Sequence, residues 1–458
     1  MSFGIVRILA FIVAIGVLVA VHEFGHFWVA RRLGFKVLRF SIGFGKPLVR
    51  RVGADGVEYV IGIIPLGGYV RLADEREAPV APEDEARAFN RRPSWQRILV
   101  LVAGAGANFL FAIVAFWCLY LAGVPGLKPL LGDVRADSYA ARAGLRSGDE
   151  IVAVGGEPVA TIESAVIATL YQLVDSGQIQ MQVRRAGVVT PALIEVPPER
   201  RRELTEPGAW SDGLGFGFIH PHIPVVVGRV LDGAAAAAAG LQAGDEILAI
   251  NGEKVSEFAD FRSRIGGRAG TTVELDVRRG IANLRLPVAV RAERDGSDPG
   301  RRLVGRIGIV PGGVASYPPS AQVLERYGPL AAIGPAVHRT WQTTAVTLKF
   351  LGRMLTGDVS LKNVNGPLSI ATYAGISARE GLASFVTFLA AVSISLGVLN
   401  LMPVPVLDGG QVVYQFIEAI KGSPLSVRSQ AFGQQVGVAL LILLMSLAFY
   451  NDIARHFG

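Results

Sequence analysis

Apolar residues run without a polar break from Ile8 to Val21, and the run resumes from Phe27 to Ala30. Comparable stretches cover about Ile98 to Ala122, Leu382 to Met402 and Gly433 to Tyr450. Each is long enough, or nearly so, to cross a bilayer as a helix. The fourth is the shortest and needs tilt or anchoring. Between the first two, Phe35–Arg51 and Val57–Leu72 alternate, with glycines interspersed and Ala54-Asp55-Gly56 as a turn. That pattern predicts a β-hairpin. Ile61, Ile63, Ile64, Leu66 and Tyr69 make it too apolar for a free cytoplasmic loop, so it is expected at the membrane edge, where protein or a wet cavity must cover its backbone. Asp74–Arg92 reads as a polar surface loop. Ser320–Thr356 reads as helical, with Leu348, Phe350, Leu351, Met354 and Leu355 clustered for a membrane surface.

The stretch between the second and third spans contains a repeat. Ala143-Gly144-Leu145-x-x-Gly148-Asp149-Glu150-Ile151 recurs as Ala239-Gly240-Leu241-x-x-Gly244-Asp245-Glu246-Ile247, an offset of 96 residues. A period near one hundred means two small domains, not a solenoid. The motif resembles PDZ domains of the bacterial, circularly permuted type. That resemblance implies a groove in which loop amides receive a peptide terminus or an added strand. Gly144, Leu145, Gly240 and Leu241 are assigned to it. The competing reading is a pair of domains that act as steric walls and bind no peptide.

Composition fits this mixture. The chain has 458 residues, 51% of them hydrophobic, which suits a membrane protein carrying soluble domains. A single cysteine, Cys118, excludes an intrachain disulfide and a cysteine metal cluster. The net charge of +7 reflects topology before partners: its arginines are scattered and no nucleic-acid motif accompanies them. Only Arg7 precedes the first apolar run, and no small-residue cleavage site follows, so the run reads as a retained span and not a signal peptide. Between Arg31 and Arg51 there are seven basic residues and no acidic one. This loop is therefore expected in the cytoplasm. An even number of spans then puts both termini and Gly123–Gly381 on the far side.

Chemistry enters with His22-Glu23-Phe24-Gly25-His26, inside the first span. On a helix, HExxH sets two imidazoles one turn apart on one face with a carboxylate beside them. Ionisable groups at membrane depth point to function. A catalytic zinc takes three protein ligands and leaves one position open. His22 and His26 are two candidates. His220, His222 and His338 lie in the far-side region and His456 at the C-terminus, so the third is expected to be Asp408. It sits in Asn400-Leu401-Met402-Pro403-Val404-Pro405-Val406-Leu407-Asp408-Gly409-Gly410. The prolines forbid a continuous helix and the glycines permit close approach. Gly104-Ala105-Gly106-Ala107-Asn108 would let the second helix come close to the site.

These residues resemble the site-2 protease family of intramembrane zinc metalloproteases, in its bacterial form with two periplasmic PDZ domains. HEFGH at 22–26 and Asn-Leu-x-Pro-x-Pro-x-Leu-Asp-Gly-Gly at 400–410 match its two signature motifs. Pro65-Leu66-Gly67-Gly68-Tyr69 and Gly366-Pro367-Leu368 match lesser ones. The likeness spans the chain in order. Gln411 stands where relatives commonly carry His, but that position is not expected to be a ligand. The resemblance implies one Zn²⁺ per chain held by His22, His26 and Asp408, with Glu23 catalytic. It also assigns Asn400, Gly67, Gly68, Pro403 and Pro405 to substrate binding. The apolar strand around Ile61 and Ile63 is added to that set, as a free edge for an extended substrate. The expected substrates are single-span membrane proteins: a trimmed anti-sigma factor and remnant signal peptides. The expected location is a bacterial inner membrane, with both motifs toward the cytoplasm and no nucleic-acid partner. The alternative function is a catalytically inactive PDZ-bearing adaptor or quality-control scaffold. A metal transporter is disfavoured because no inverted repeat is evident.

The expected fold class is thus a polytopic α-helical membrane protein, with four transmembrane helices and a membrane-associated β-hairpin, plus two β-rich PDZ domains. The expected divisions are 1–122 (first two helices and hairpin), 126–212 and 213–310 (PDZ domains), 320–381 (amphipathic connecting helices) and 382–458 (last two helices).

Overall fold

The computed structural model describes residues 3–221, 223–294, 303–312 and 317–457; His222 lies outside them, and the side chain of His456 is not described. In chain order the helices that matter here are α1 (Phe3–Arg32), α2 (Ser94–Ala122), α3 (Ile162–Asp175), α4 (Phe258–Gly266), α5 (Ile333–Thr356), α6 (Pro367–Glu380), α7 (Leu382–Leu401), α8 (Asp408–Lys421) and α9 (Val427–Phe457). The strands are β1 (Val37–Val52), β2 (Glu58–Leu72), β3 (Val124–Leu127), β4 (Glu150–Val154), β5 (Gln178–Arg185), β6 (Val188–Glu195), β7 (Glu246–Ile250), β8 (Thr272–Arg279), β9 (Ala282–Ala289) and β10 (Gln322–Glu325). The chain forms two compact units, Met1–Gly217 with Val323–Gly458, and Phe218–Gln322.

In the first unit, four helical segments are long and apolar enough to cross a membrane: Gly4–Arg32, Ser94–Ala122, Leu382–Leu401 and Arg428–Arg455. The last is longer than its apolar core suggested, because the helix continues through Gln430, Gln434 and Gln435. Their outward side chains, such as Ile8, Leu110 and Leu443, stay exposed, as lipid-facing residues should. Ala112, Phe116 and Leu119 of α2 pack with Ala390, Ile394 and Val398 of α7.

The predicted hairpin forms, but its connectivity differs from a simple two-stranded ribbon. Ile61 pairs with both Ile42 and Val49, and Val60 with both Ser41 and Arg50. The Tyr69–Leu72 end of β2 crosses to the other edge of β1, where Tyr69 faces Ser41 and Val70 faces Phe40. The spatial order is 47–52, 58–62, 37–42, 69–72. Ile61 is therefore on an interior strand with both edges occupied, and Ile63 lies at the crossing. The open edge beside the helices is Gly68–Leu72. Alternation along a strand specifies which face is buried and not which neighbour it takes.

The two repeats fold alike. In the first, Glu157–Pro158, β4, β5 and β6 form a four-stranded sheet; in the second, Glu253–Lys254, β7, β8 and β9 form the same order. Each has a buried aspartate held by an arginine at the end of the third strand. Asp149 accepts from Arg185 Nε at 2.7 Å, and Asp245 from Arg279 Nε at 2.7 Å. The same arginines donate to Gly144 O and Gly240 O, so they fix the Ala-Gly-Leu turns. Gly144 and Gly240 have φ of +82° and +79°, which favours glycine. Leu145 and Leu241 turn inward and are buried. They pack into the cores. Leu241 packs with Val227, Ile247 and Phe261.

The first repeat is part of the membrane unit, where a separate 126–212 domain was expected. Lys349 of α5 pairs with Asp175 at 2.6 Å and lies over the Tyr171 ring of α3. Arg353 donates to Asp175 O, and His338 lies 3.4 Å from Glu157. The Gly366-Pro367-Leu368 motif opens α6, where the buried Asp452 of α9 accepts from the amides of Gly366, Leu368 and Ser369. A carboxylate there satisfies helix-start N–H groups that have no partner within the helix.

Candidate metal centre

His22 and His26 fall on one face of α1 because four residues make about one helical turn. Asp408 reaches them from a different part of the chain. Helix α7 ends at Leu401, Pro403 and Pro405 hold an irregular turn, and α8 starts at Asp408. Side chains at Gly409 and Gly410 would strike the carbonyls of Leu401 and Val404 at 2.3 and 2.1 Å. The double glycine thus lets α8 begin against the turn that precedes it. Gln411 Nε2 donates to Pro405 O at 3.0 Å and closes that turn.

The three ligand-type atoms form a nearly equilateral triangle. His22 Nε2 lies 3.2 Å from His26 Nε2, and Asp408 Oδ2 is 3.1 and 3.3 Å from the two nitrogens. Ligands about 2.05 Å from a tetrahedral ion stand roughly 3.3 Å apart, so the triangle has the size that zinc requires. Hydrogen bonding alone does not account for it. His26 Nδ1 lies 2.8 Å from Val100 O, and a carbonyl only accepts, so Nδ1 carries the proton and the neutral ring presents its lone pair from Nε2. Asp408 Oδ2 is buried without a hydrogen-bond partner. Acceptors that converge on one point suit a cation.

Asn108 Nδ2 lies 3.1 Å from His22 Nδ1, and its buried Oδ1 has no hydrogen-bond partner. With the amide turned so that Oδ1 accepts from Nδ1–H, His22 also presents a lone pair from Nε2. Such outer partners fix the tautomer of metal-binding histidines. Apolar patterning alone gave Asn108 no such role; the signal available was the single amide within the apolar stretch from Ile98 to Ala122.

Glu23 is 8% exposed and borders a cavity of about 560 Å³ with His22, His26, Asp408 and the Gly68–Leu72 edge. The Val70 amide points toward its carboxylate. A Cβ at Gly68 would sit 2.9 Å from Glu23 Cγ and 2.6 Å from Ser41 O, so glycine is what brings the strand onto α1. Gly67 faces Phe44 instead. Ile61, Ile63 and Asn400 do not line the cavity; Asn400 is the next-to-last residue of α7, just before the proline turn.

Convergent lone pairs and a carboxylate beside an open strand edge, on helices that cross a membrane, define the class as an intramembrane metallopeptidase. The family model "Peptidase family M50" matches residues 10–444. Protease RseP of Yersinia pestis is 43% identical over 97% of this chain and 98% of its own length. Regulator of sigma-E protease RseP of Escherichia coli (strain K12) is 42% identical over 97% and 98%. A PDZ domain of an SdrC-like protein from Listeria innocua aligns with 20% of this chain and 99% of its own, at 24% identity and a TM-score of 0.18; that score carries no argument. The chain belongs to peptidase family M50 and is a zinc metalloprotease of the site-2 type, acting in regulated intramembrane proteolysis.

Proposed function

We propose that His22, His26 and Asp408 hold one zinc ion per chain and that Glu23 is the general base. The observation that carries this reading is the 3.1–3.3 Å triangle of His22 Nε2, His26 Nε2 and Asp408 Oδ2. When bound, zinc polarises the scissile carbonyl and makes a neighbouring water acidic. Glu23 takes the water's proton and passes it to the leaving amine. Asn108 and Val100 O hold the imidazoles in the tautomer that leaves Nε2 free. The Gly68–Leu72 edge pairs with the substrate as an added strand, which requires the substrate helix to unwind locally.

The substrates proposed are single-span membrane proteins: an anti-sigma factor already trimmed on its far side, as the sigma-E names of the relatives suggest, and remnant signal peptides. Asn400, Pro403 and Pro405 are assigned to substrate contact beyond the cavity that holds Glu23. The protein resides in a bacterial inner membrane. The basic Arg31–Arg51 loop and the metal centre lie toward the cytoplasm, and the PDZ repeats and termini lie opposite. The repeats exclude bulky ectodomains.

The test is Glu23→Gln in full-length protein reconstituted with a single-span substrate. Zinc content should stay at one per chain while cleavage falls by about 10²–10⁴. Zinc lost in parallel with cleavage would make Glu23 structural. Cleavage at the original rate with zinc retained would show that Glu23 is not the base.

A further inference from the structure

A second cavity, of about 420 Å³, lies far from the metal centre. Its floor includes Phe116 and Leu119 of α2 and Thr387 of α7. Leu119 is fifteen residues beyond Gly104, roughly 22 Å along the helix, so the cavity is at the opposite end of the span from His22 and His26. The walls are polar. Glu325 on β10, Glu163 on α3 and Arg339 on α5 all face it, with Tyr120 and Tyr327 beside them. The two tyrosine rings are 5.5 Å apart, edge to face.

The charges do not cancel within the protein. Arg339, 11% exposed, is paired with Glu163. Glu325 forms no ion pair or hydrogen bond among the described residues, and no salt bridge joins it to Arg339. Burial raises its carboxyl above the ordinary value, as expected of an unpaired group. His338 also faces the cavity but lies against Glu157. Two carboxylates thus face one guanidinium across a space whose floor is apolar and continuous with two membrane spans.

We infer that this cavity binds the headgroup of a zwitterionic phospholipid, with its ammonium at Glu325 and its phosphate at the free N–H groups of Arg339. The excess carboxylate disfavours an anionic headgroup. The aromatic walls suit a cation, and a guanidinium suits phosphate. The apolar floor is why the ligand is placed in the bilayer and not in solution: Phe116 and Leu119 would contact the first methylenes of an acyl chain. Because Glu325, Glu163 and Arg339 come from β10, α3 and α5, a bound headgroup would join the first repeat to the membrane helices.

The experiment titrates delipidated full-length protein in detergent with phosphatidylethanolamine, phosphatidylcholine or phosphatidylglycerol and reads the bound fraction by native mass spectrometry. Phosphatidylethanolamine should bind about tenfold more tightly than phosphatidylglycerol, the ratio expected for one charge-assisted hydrogen bond. Phosphatidylcholine, whose ammonium cannot donate, should fall between them. Glu325→Gln, which keeps the shape, should erase the preference. Equal binding of the ethanolamine and glycerol lipids by the unaltered protein overturns the inference without any variant. A preference that survives Glu325→Gln also overturns it. Displacement of the lipid by free O-phosphoethanolamine at equal concentration would make the ligand a soluble one and refute the bilayer assignment.

Discussion

Gly104→Ala tests the metal centre with a single methyl group. The added Cβ would lie 2.3 Å from His26 Nε2 and 2.7 Å from His22 Cε1. Ordinary contacts between such atoms are about 3.5 Å, so the His26 ring must withdraw by roughly 1 Å. Metal–ligand distances tolerate only about 0.2 Å. The ring cannot turn freely either, because its Nδ1 is held by Val100 O at 2.8 Å. Zinc affinity should fall by at least the 10–100-fold typical of lost outer-partner contacts. Gly106→Ala is the matched control: it is on the same helix, two residues away, and a Cβ there meets nothing within 4 Å. Removing a mid-helix glycine favours the helix by about 1 kcal/mol, so the control should be slightly more stable and bind zinc normally. The assay is competition with a chelator, read as zinc per chain, alongside thermal unfolding of both variants. If Gly104→Ala retains zinc as tightly as Gly106→Ala, the histidines do not hold the metal where the structure places their Nε2 atoms.

Three further outcomes are expected. Val70→Pro removes an edge amide directed at Glu23 and not at the ladder, so it should slow cleavage about five- to tenfold with zinc retained; an unaltered rate would exclude strand pairing at this edge, while Ile61→Pro should disrupt the sheet because that residue is paired on both sides. Asn108→Ala should weaken zinc about 10–100-fold without lowering the unfolding temperature of the zinc-free protein; unchanged affinity would reduce Asn108 to helix packing. Arg279 holds the Asp245 carboxyl below its ordinary value, with burial opposing. The stability this gives is therefore complete above the unfolded value near 3.9 and is lost as pH falls through the lower folded value. Amide exchange in the second repeat should show Asp245→Asn less stable by about 1.5–3 kcal/mol at pH 7, with the gap closing below about pH 4, and a gap that persists at pH 2 would mean the effect is not ionic.

The parts legible in the sequence were those that one local period encodes. Apolar length marked the four spans, and the i, i+4 spacing put His22 and His26 on one face. Asp408 was reachable because prolines and glycines locally forbid the ordinary alternatives. Pairing was not legible. Nothing in the alternation of β2 says that Ile61 sits between two neighbours while Tyr69–Leu72 crosses to a free edge, because both halves have the same pattern. The Ala-Gly-Leu turns misled in a different way. A leucine after a left-handed glycine can face a groove or a core, and Arg185 and Arg279, 36 and 34 residues after Asp149 and Asp245, decide for the core. That arginine recurs in both repeats at nearly the same distance, so comparing them beyond the motif would have exposed it.

The proposed ligand set also has a logic of charge. Isolated ions at membrane depth are costly, and a buried charge is tolerated when it is balanced. In the tautomers that present Nε2 to a metal both imidazoles are neutral, so among these four groups Asp408 and Glu23 carry the formal charge. Together they carry −2, the charge a divalent cation neutralises. Three carboxylates, or one carboxylate without Glu23, would leave a net charge against apolar helices. Two imidazoles, one ligand carboxylate and one base carboxylate satisfy three demands together: a tetrahedral site with an open position, a base beside it, and a total charge near zero. The same arithmetic explains why the open side of the site is a strand edge. Backbone amides such as that of Val70 can solvate Glu23 without adding charge.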